Sequence, residues 1–521
     1  MNGMPLDLSI PSQLSFALLP DLILMGGAML LLVWAAWRPE SIRHQRAVGT
    51  ASIILLFITA AVIGWFMLRG VSAQPGPIAV DRFRWIADLV LIVGTIGTIM
   101  LSMDYNEREL MMAPEAHVLI LLATAGMMLL AGARDLMVVF LGIETMSVAV
   151  YVLAGMNRRS PRAAEGALKY FLLGAFSTAF LLYGMALIYG GTGATDIGVI
   201  GDRITQYGLN ANPLLLIGVA LMLVGFGFKV AAAPFHMWAP DVYDGAPTPI
   251  TAYMAASVKA AAFTAFLRIW YEGFSPVFER WHTPVWWLAA LTMLVGNVIA
   301  LRQRNIKRML AYSSIAHAGY LLVALTVNTN AGAEAFLFYA LIYTIATFGA
   351  FGVVIALGEP GERSLAIDDY AGLWTVRPWL SVAMAIFMLA LLGFPVFGGA
   401  GFFAKWYIIK AALQSPSPQT KLAVVLVLTS VISAGYYLYV VMVMFMRART
   451  STVVIPARAG GLTRFVVAAA AILLIGLGFF PEQVVRITRG GAPLTASRLT
   501  SPGVRGPLPA SNVPLPPSAR R

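Results

Sequence analysis

Four lysines, Lys169, Lys229, Lys259 and Lys405, and one glutamate, Glu144, stand inside stretches that are otherwise apolar. An ionisable side chain at the centre of a bilayer costs about 2.5–3.5 kcal/mol even on a lenient insertion scale, so such groups normally face a protein interior or a water cavity. Desolvation favours the neutral form of both an ammonium and a carboxyl, which brings the two toward the range where they exchange protons. Lysine and carboxylate together therefore read as a proton relay. The competing reading is a lysine that snorkels to the interface or sits in a static ion pair. Lys229, Lys259 and Lys405 lie too deep in their segments for that to be the better account; Lys169, a few residues from the Arg162–Glu165 loop, fits either. Among the acidic residues Glu144, in FLGIETMSVAVYVLAG, is well inside a helix, whereas Asp21, Asp88 and Glu115 lie near helix starts, where the macrodipole favours anions.

Two histidines are auxiliary candidates. His317, in AYSSIAHAGY, falls mid-helix and could pass protons at neutral pH, or simply be hydrogen-bonded. His236 follows Pro234 in AAAPFHMWAPD, where capping freed backbone competes with proton handling. Tyr339, Tyr343, Tyr436, Tyr437 and Tyr439 could order water, but packing is the better expectation for most of them.

The elements that must position these groups are membrane helices. Of 521 residues 59% are apolar and only 12% charged, and the mean hydropathy is +0.79; soluble domains carry about 25% charged residues. Spans of about 20 residues are expected at about 16–37, 47–68, 85–103, 114–132, 136–156, 165–190, 213–233, 249–270, 284–301, 308–327, 333–357, 379–412, 422–446 and 463–481. Fourteen spans put both termini on one side. Loops after odd-numbered spans hold 17 Lys and Arg against 9 after even-numbered ones, and cytoplasmic loops carry the excess, so both termini are expected outside. Six arginines beyond the last span vote the other way. The opening MNGMPLDLSIPSQLSF has neither the basic region nor the cleavage site of a signal peptide, so the first span is expected to stay.

Two spans are interrupted. Pro234 and Pro240 follow Lys229, and Pro395 with four glycines precedes Lys405; no uninterrupted helix tolerates such runs. Unwound backbone survives in a membrane only where it lines a cavity, and matching breaks in two halves point to a transport site built from inverted repeats. The breaks fall five spans apart, so spans 4–8 (residues 114–270) and 9–13 (284–446) are read as two inverted five-helix repeats, preceded by residues 1–113 and followed by a last span at 463–481. The fold class is thus all-α, polytopic, with discontinuous spans 7 and 12. No carboxylate in the second repeat matches Glu144, and no lysine in its last span matches Lys259. The Pro/Arg-rich tail, 487–521, is expected to be disordered.

The absence of cysteine excludes thiolate-ligated iron–sulfur clusters, Cys-ligated zinc and disulfides in this chain. Neither a Walker loop nor a dinucleotide fingerprint is present. The net charge of +12 comes from arginines between apolar segments, not from a basic patch with interleaved aromatics, so nucleic acid is not an expected partner.

Four passages, LGIETMSVAVYVLAG, ALKYFLLGAFSTAF, FKVAAAPFHMWAPDVYDGAPTPITAYMA and NIKRMLAYSSIAHAGY, resemble the antiporter-like membrane subunits of respiratory complex I, NADH–quinone oxidoreductase, over nearly the whole chain. Among them subunit N fits best: the long extra C-terminal helix of subunit L is missing, and subunit M typically has glutamate where Lys405 stands. The resemblance implies that Glu144, Lys229, Lys259 and Lys405 line a central hydrophilic axis, with Lys169 an auxiliary member. It implies a bacterial inner-membrane protein whose partners are the bilayer and other membrane subunits of the complex, including neighbouring antiporter-like subunits. NADH, FMN, iron–sulfur clusters and quinone would then reside in other subunits. In the implied mechanism Lys229 pairs with Glu144 in one state; breaking the pair sends a proton through Lys259 toward Lys405. Two other readings remain at this point, a subunit of a multi-subunit cation/proton antiporter or of another complex-I-related dehydrogenase or hydrogenase, and an anchoring subunit whose charges only hold helices together.

Overall fold

The computed structural model describes residues 5–38, 41–362, 365–395, 399–449 and 459–488; the tail expected to be disordered lies, from residue 489 on, outside the described residues. Among those residues there are isolated bridges but no strands. Fourteen apolar segments appear: α1 (Leu19–Trp37), α2 (Ile42–Arg69), α3 (Arg82–Arg108), α4 (Pro114–Gly132), α5 (Leu136–Ala154), α6 (Pro161–Thr192), α7 (Pro213–Lys229), α8 (Thr248–Glu272), α9 (Ser275–Ala300), α10 (Ile306–Val327), α11 (Asn330–Leu357), α12 (Pro378–Leu392 continuing as Ala400–Leu413), α13 (Thr420–Met446) and α14 (Gly461–Phe479). Twelve of these are long and apolar enough to cross a bilayer; α7 and the first half of α12 are the two short ones. The expected all-α polytopic architecture is therefore present, with its two short segments where the proline runs stand.

Polar residues between the apolar runs set the helix starts. Asp135 accepts from the Met137 amide, Asn212 from Leu215, Asn305 from Lys307 and Arg308, and Asp81 from Arg84; each satisfies amides that the first turn leaves unpaired. α8 is wholly buried and α10 and α11 nearly so, while α1, α2 and α13 turn most of their surface outward. Single-residue insertion at the heart of α8 is visible as a π-helical turn, Met254–Val258, immediately before Lys259; such bulges frequently mark functional sites.

Both breaks are built by backbone that a helix cannot accommodate. After Lys229 the chain turns through Ala231 at φ 56° and a cis Ala233–Pro234 bond, then forms the short helix Ala239–Gly245. The freed groups find partners: Trp238 Nε1 donates to the Phe228 carbonyl at 3.0 Å, and the Ala233 amide donates to Thr292 Oγ1 at 2.9 Å. In α12 the first half ends at Leu392 and is capped by Gly393, φ 80°, and the second half packs against it. A Cβ at Gly401 would lie 1.7 Å from the Ala390 carbonyl oxygen, so only glycine permits that approach.

Candidate proton-relay site

Lys229 is the last residue of α7, and its ammonium is buried against α5. Its Nζ donates to Ser147 Oγ at 2.8 Å and more weakly to Tyr151 OH at 3.4 Å, and lies 5.7 Å from the centre of the Tyr151 ring. Glu144 stands one turn before Ser147 on α5, half-buried, accepting a 2.9 Å hydrogen bond from Thr178 Oγ1 of α6. Lys229 and Glu144 are not within 4.0 Å of each other, although the lysine feels the carboxylate's charge. The two members of the expected pair are thus neighbours held apart, each on a hydroxyl.

Lys259 follows the π turn of α8, fully enclosed, and donates to both the hydroxyl and the carbonyl of Ser314 on α10, the latter at 3.0 Å. Ser313, the preceding residue, hydrogen-bonds Tyr437 OH of α13. Tyr437 OH in turn lies 3.1 Å from His317 Nε2, while His317 Nδ1 is 2.6 Å from Tyr339 OH of α11. His317 is buried and within electrostatic reach of both Lys259 and Lys405. A cavity of about 10 Å³ lies among His317, Tyr339, Tyr343, Gly401 and Lys405; that is room for one water. Lys405 completes the row. Its Nζ donates to the Leu392 carbonyl at 2.8 Å and to Ser430 Oγ at 3.0 Å, and sits 4.6 Å from the centre of the Tyr320 ring. Leu392 is the last residue of the first half of α12, so the break supplies the carbonyl that holds the lysine, at the end of a helix where a cation is favoured.

Lys169 and His236 stand apart from this row. Lys169 is in the third turn of α6, its side chain 42% exposed, paired with Glu165 at 2.7 Å and Asp241 at 3.0 Å. His236 lies in the unwound stretch after α7, partly buried and within electrostatic reach of Lys259. Tyr339 and Tyr437 contact His317 directly, and Tyr436 OH bonds Asn297, which bonds Tyr320 OH. These tyrosines therefore do more than the packing expected of them; Tyr439 instead lies under the Arg447 guanidinium.

Assigning charges to loops undercounted the buried ones. Lys307, Arg84, Arg134 and Arg268, which stand at or beside span ends and enter the loop totals of 17 and 9, are buried, and so are Asp21 and Asp88, read above as helix-start anions. The missed signal is spacing: Arg84 and Asp88, and Arg268 and Glu272, stand four apart at the ends of α3 and α8. Arg268 grips Asp81 through both terminal guanidinium nitrogens, at 2.7 and 2.9 Å; burial pushes the Asp81 carboxyl up, but the Arg268 charge and hydrogen bonds, with the Arg84 amide and the Arg134 charge, together hold it below the ordinary value. At the opposite end of α8, Lys307 Nζ donates to Glu362 Oε2 at 2.7 Å and to the Ala246 carbonyl at 2.8 Å, while Glu362 Oε1 accepts from Tyr105 OH at 2.8 Å and from Thr248, the first residue of α8. Burial opposes the Glu362 charge, yet Lys307 and these donors keep its carboxyl below the ordinary value. Glu362 borders a recess of about 1050 Å³ edged by Arg108, Arg159, Arg162 and Arg304. Among the described residues no three His, Asp or Glu side chains converge as metal ligands.

The chain as a whole is similar to known proteins. A family profile described as NADH:quinone oxidoreductase/Mrp antiporter, TM, covers residues 133–433, the stretch that holds every residue of the row. The chain is 51% identical to the NADH-quinone oxidoreductase subunit N of Gemmatimonas aurantiaca over 96% of its length and 98% of that protein's. It is 46% identical to the subunit N of Trichlorobacter lovleyi, over 82% and 87%. Among solved structures, a chain of respiratory complex I from Thermus thermophilus is 36% identical, with a TM-score of 0.76 over 91% of this chain and 100% of that one. With its family profile, its relatives and its fold in agreement, the chain belongs to the antiporter-like membrane subunits of NADH-quinone oxidoreductase, in the subunit N family.

Proposed function

We propose that this chain is the proton-translocating membrane subunit N of an NADH–quinone oxidoreductase, coupling electron transfer elsewhere in the complex to proton movement along Glu144, Lys229, Lys259, His317 and Lys405. The observation that carries the reading is that three lysines, on α7, α8 and α12, are buried without a carboxylate partner yet each rests on a hydroxyl or carbonyl oxygen. A structural charge would be expected in a compensated ion pair, as Arg268 is. An unpaired lysine on neutral acceptors can give up its proton and leave no orphaned anion behind.

Moving one charge against 100 mV costs about 2.3 kcal/mol, and with no cysteine in the sequence no thiolate-ligated redox centre is available here to supply it. The drive comes from partner subunits that carry NADH, FMN, iron–sulfur clusters and quinone. Glu144 supports a neighbour on the α5 face: a half-buried mid-helix carboxyl is costly against lipid and calls for a protein surface beside it. Arrival of charge from that neighbour would draw Glu144 and Lys229 together or apart and start the transfer.

The repeat assignment, α4–α8 with α9–α13, draws support from packing, since α4 lies along α5 as α9 lies along α10, and α6 along α7 as α11 along α12. Both termini are assigned to the outer side of a bacterial cytoplasmic membrane on the loop charges. Single cysteines at Ser9 and Arg159, in a chain that has none of its own, test that: an impermeant maleimide should label Ser9→Cys in intact cells and Arg159→Cys only after permeabilisation, and the reverse pattern would invert the topology. For the function, Lys259→Ala in the assembled complex should abolish most proton pumping on reconstitution into vesicles. Unchanged pumping at unchanged assembly would remove Lys259 from the route.

A further inference from the structure

Seven buried ionisable side chains meet where α1, the start of α3, the α4–α5 turn and the end of α8 converge: Asp21, Asp81, Arg84, Asp88, Arg134, Arg268 and Glu272. One part of this cluster is electrically complete. Arg268 pairs with Asp81 and Glu272, and Arg134 pairs with Glu272 at 2.8 Å, two guanidiniums for two carboxylates. The other part is not. Arg84 alone faces both Asp21 and Asp88.

Arg84 is committed to Asp21, whose Oδ2 accepts from Nη2, and to the Ala79 carbonyl at 3.0 Å. Asp88 Oδ2 lies 3.4 Å from Arg84 Nε, but neither Asp88 oxygen has a hydrogen-bond partner, nor does Arg84 Nε, and the Asp88 side chain is fully buried. The charged groups that act on Asp88 are Arg84 on its own helix, Asp21 from α1 and Arg268 from α8, and Arg268 is already matched. A second carboxylate here would be an uncompensated buried anion, which proteins avoid by neutralising the group. Asp21 Oδ1, also buried and unpartnered, is a free acceptor in the same triad.

We propose that Asp88 is a proton-binding site, separate from the lysine row, that carries its proton at neutral pH. Its ligand is the proton itself, and its gain or loss changes the charge beside Arg268, at the far end of the helix that carries Lys259, by one unit. The site rests on the charge count of the triad and not on the proposed lysine route, so either can fail without the other.

The test is infrared spectroscopy of the intact complex at neutral pH, comparing light and heavy water, with aspartate carbons isotopically labelled to identify protonated aspartyl carbonyls. Asp88→Asn should remove one such band. Asp21→Asn should remove it as well, because Arg84 would then face a single carboxylate and Asp88 would ionise; Arg84→Gln should add a band. If Asp88→Asn does not assemble, Asp88→Glu serves, and the labelled-aspartate band should vanish there too. A full band in Asp88→Asn or Asp88→Glu would overturn the proposal, and a band lost from Asp88→Asn but kept in Asp21→Asn would overturn the charge count of the triad as its cause.

Discussion

Replacing Glu362 by glutamine removes one charge and almost nothing else, which makes it a sharp probe of how α8 is clamped. Lys307 is fully buried and holds Glu362 Oε2 at 2.7 Å, while Glu362 Oε1 accepts from the Thr248 amide at 3.1 Å and from its hydroxyl at 2.5 Å. Removing one partner of a buried pair costs about 3–5 kcal/mol. The Glu362 side chain is 16% exposed, and a glutamine carbonyl still accepts from Thr248 and Tyr105, so about 2–3 kcal/mol is the expected loss. If that loss falls on local opening of the α8 start, exchange should speed up roughly 30- to 150-fold. Hydrogen exchange over residues 248–253 reads it, since the Ile250 and Thr251 amides bond back to the Pro247 carbonyl at 2.9 and 3.0 Å. The pH dependence supplies a second check. Because the folded-state carboxyl is held below its ordinary value of 4.5, its stabilisation is fully present above that value and is lost as pH falls through the lower folded value. Wild type should therefore approach Glu362→Gln in acid, and the variant should show no such slope. Exchange indistinguishable from wild type at neutral pH would refute the clamp.

Other substitutions separate relay groups from structural charges. His317→Phe keeps the ring and removes both tyrosine contacts; pumping and turnover should fall by roughly 10²-fold if the imidazole passes the proton, measured on assembled complex, and His317→Gln should not restore them. Asp81→Asn weakens both Arg268 contacts, so the amount of assembled complex on native gels should drop while turnover per assembled complex stays near wild type. Lys169→Met should leave both quantities close to wild type, since its two ion pairs lie at the surface.

The deep lysines were readable because an isolated charge in an apolar run has no bland explanation at that depth, and the breaks after Lys229 and before Lys405 were readable from proline and glycine alone. Three things were not. Lys307, Arg84 and Arg268 sit at span ends, where a lysine or arginine reads as a topology signal, and only tertiary packing buries them. Glu362 follows α11 in a loop, and nothing local in the sequence joins it to Lys307, 55 residues earlier. The roles of Tyr339 and Tyr437 depend on α11 and α13 meeting α10 at His317, a non-local fact that a tyrosine in a helix does not announce. The separation of Glu144 from Lys229 belongs to the same class: they are expected to pair in one state, and only the folded structure shows a serine hydroxyl, Ser147, taking the lysine instead.

The central claim is that Lys229 lies on the coupled proton route, and Lys229→Ala in the native membrane tests it most directly. With assembly verified first, NADH–quinone turnover and proton pumping are measured on the same membranes. The account predicts normal assembly with strongly reduced turnover or pumping; full turnover with full pumping would contradict it and leave Lys229 a structural charge.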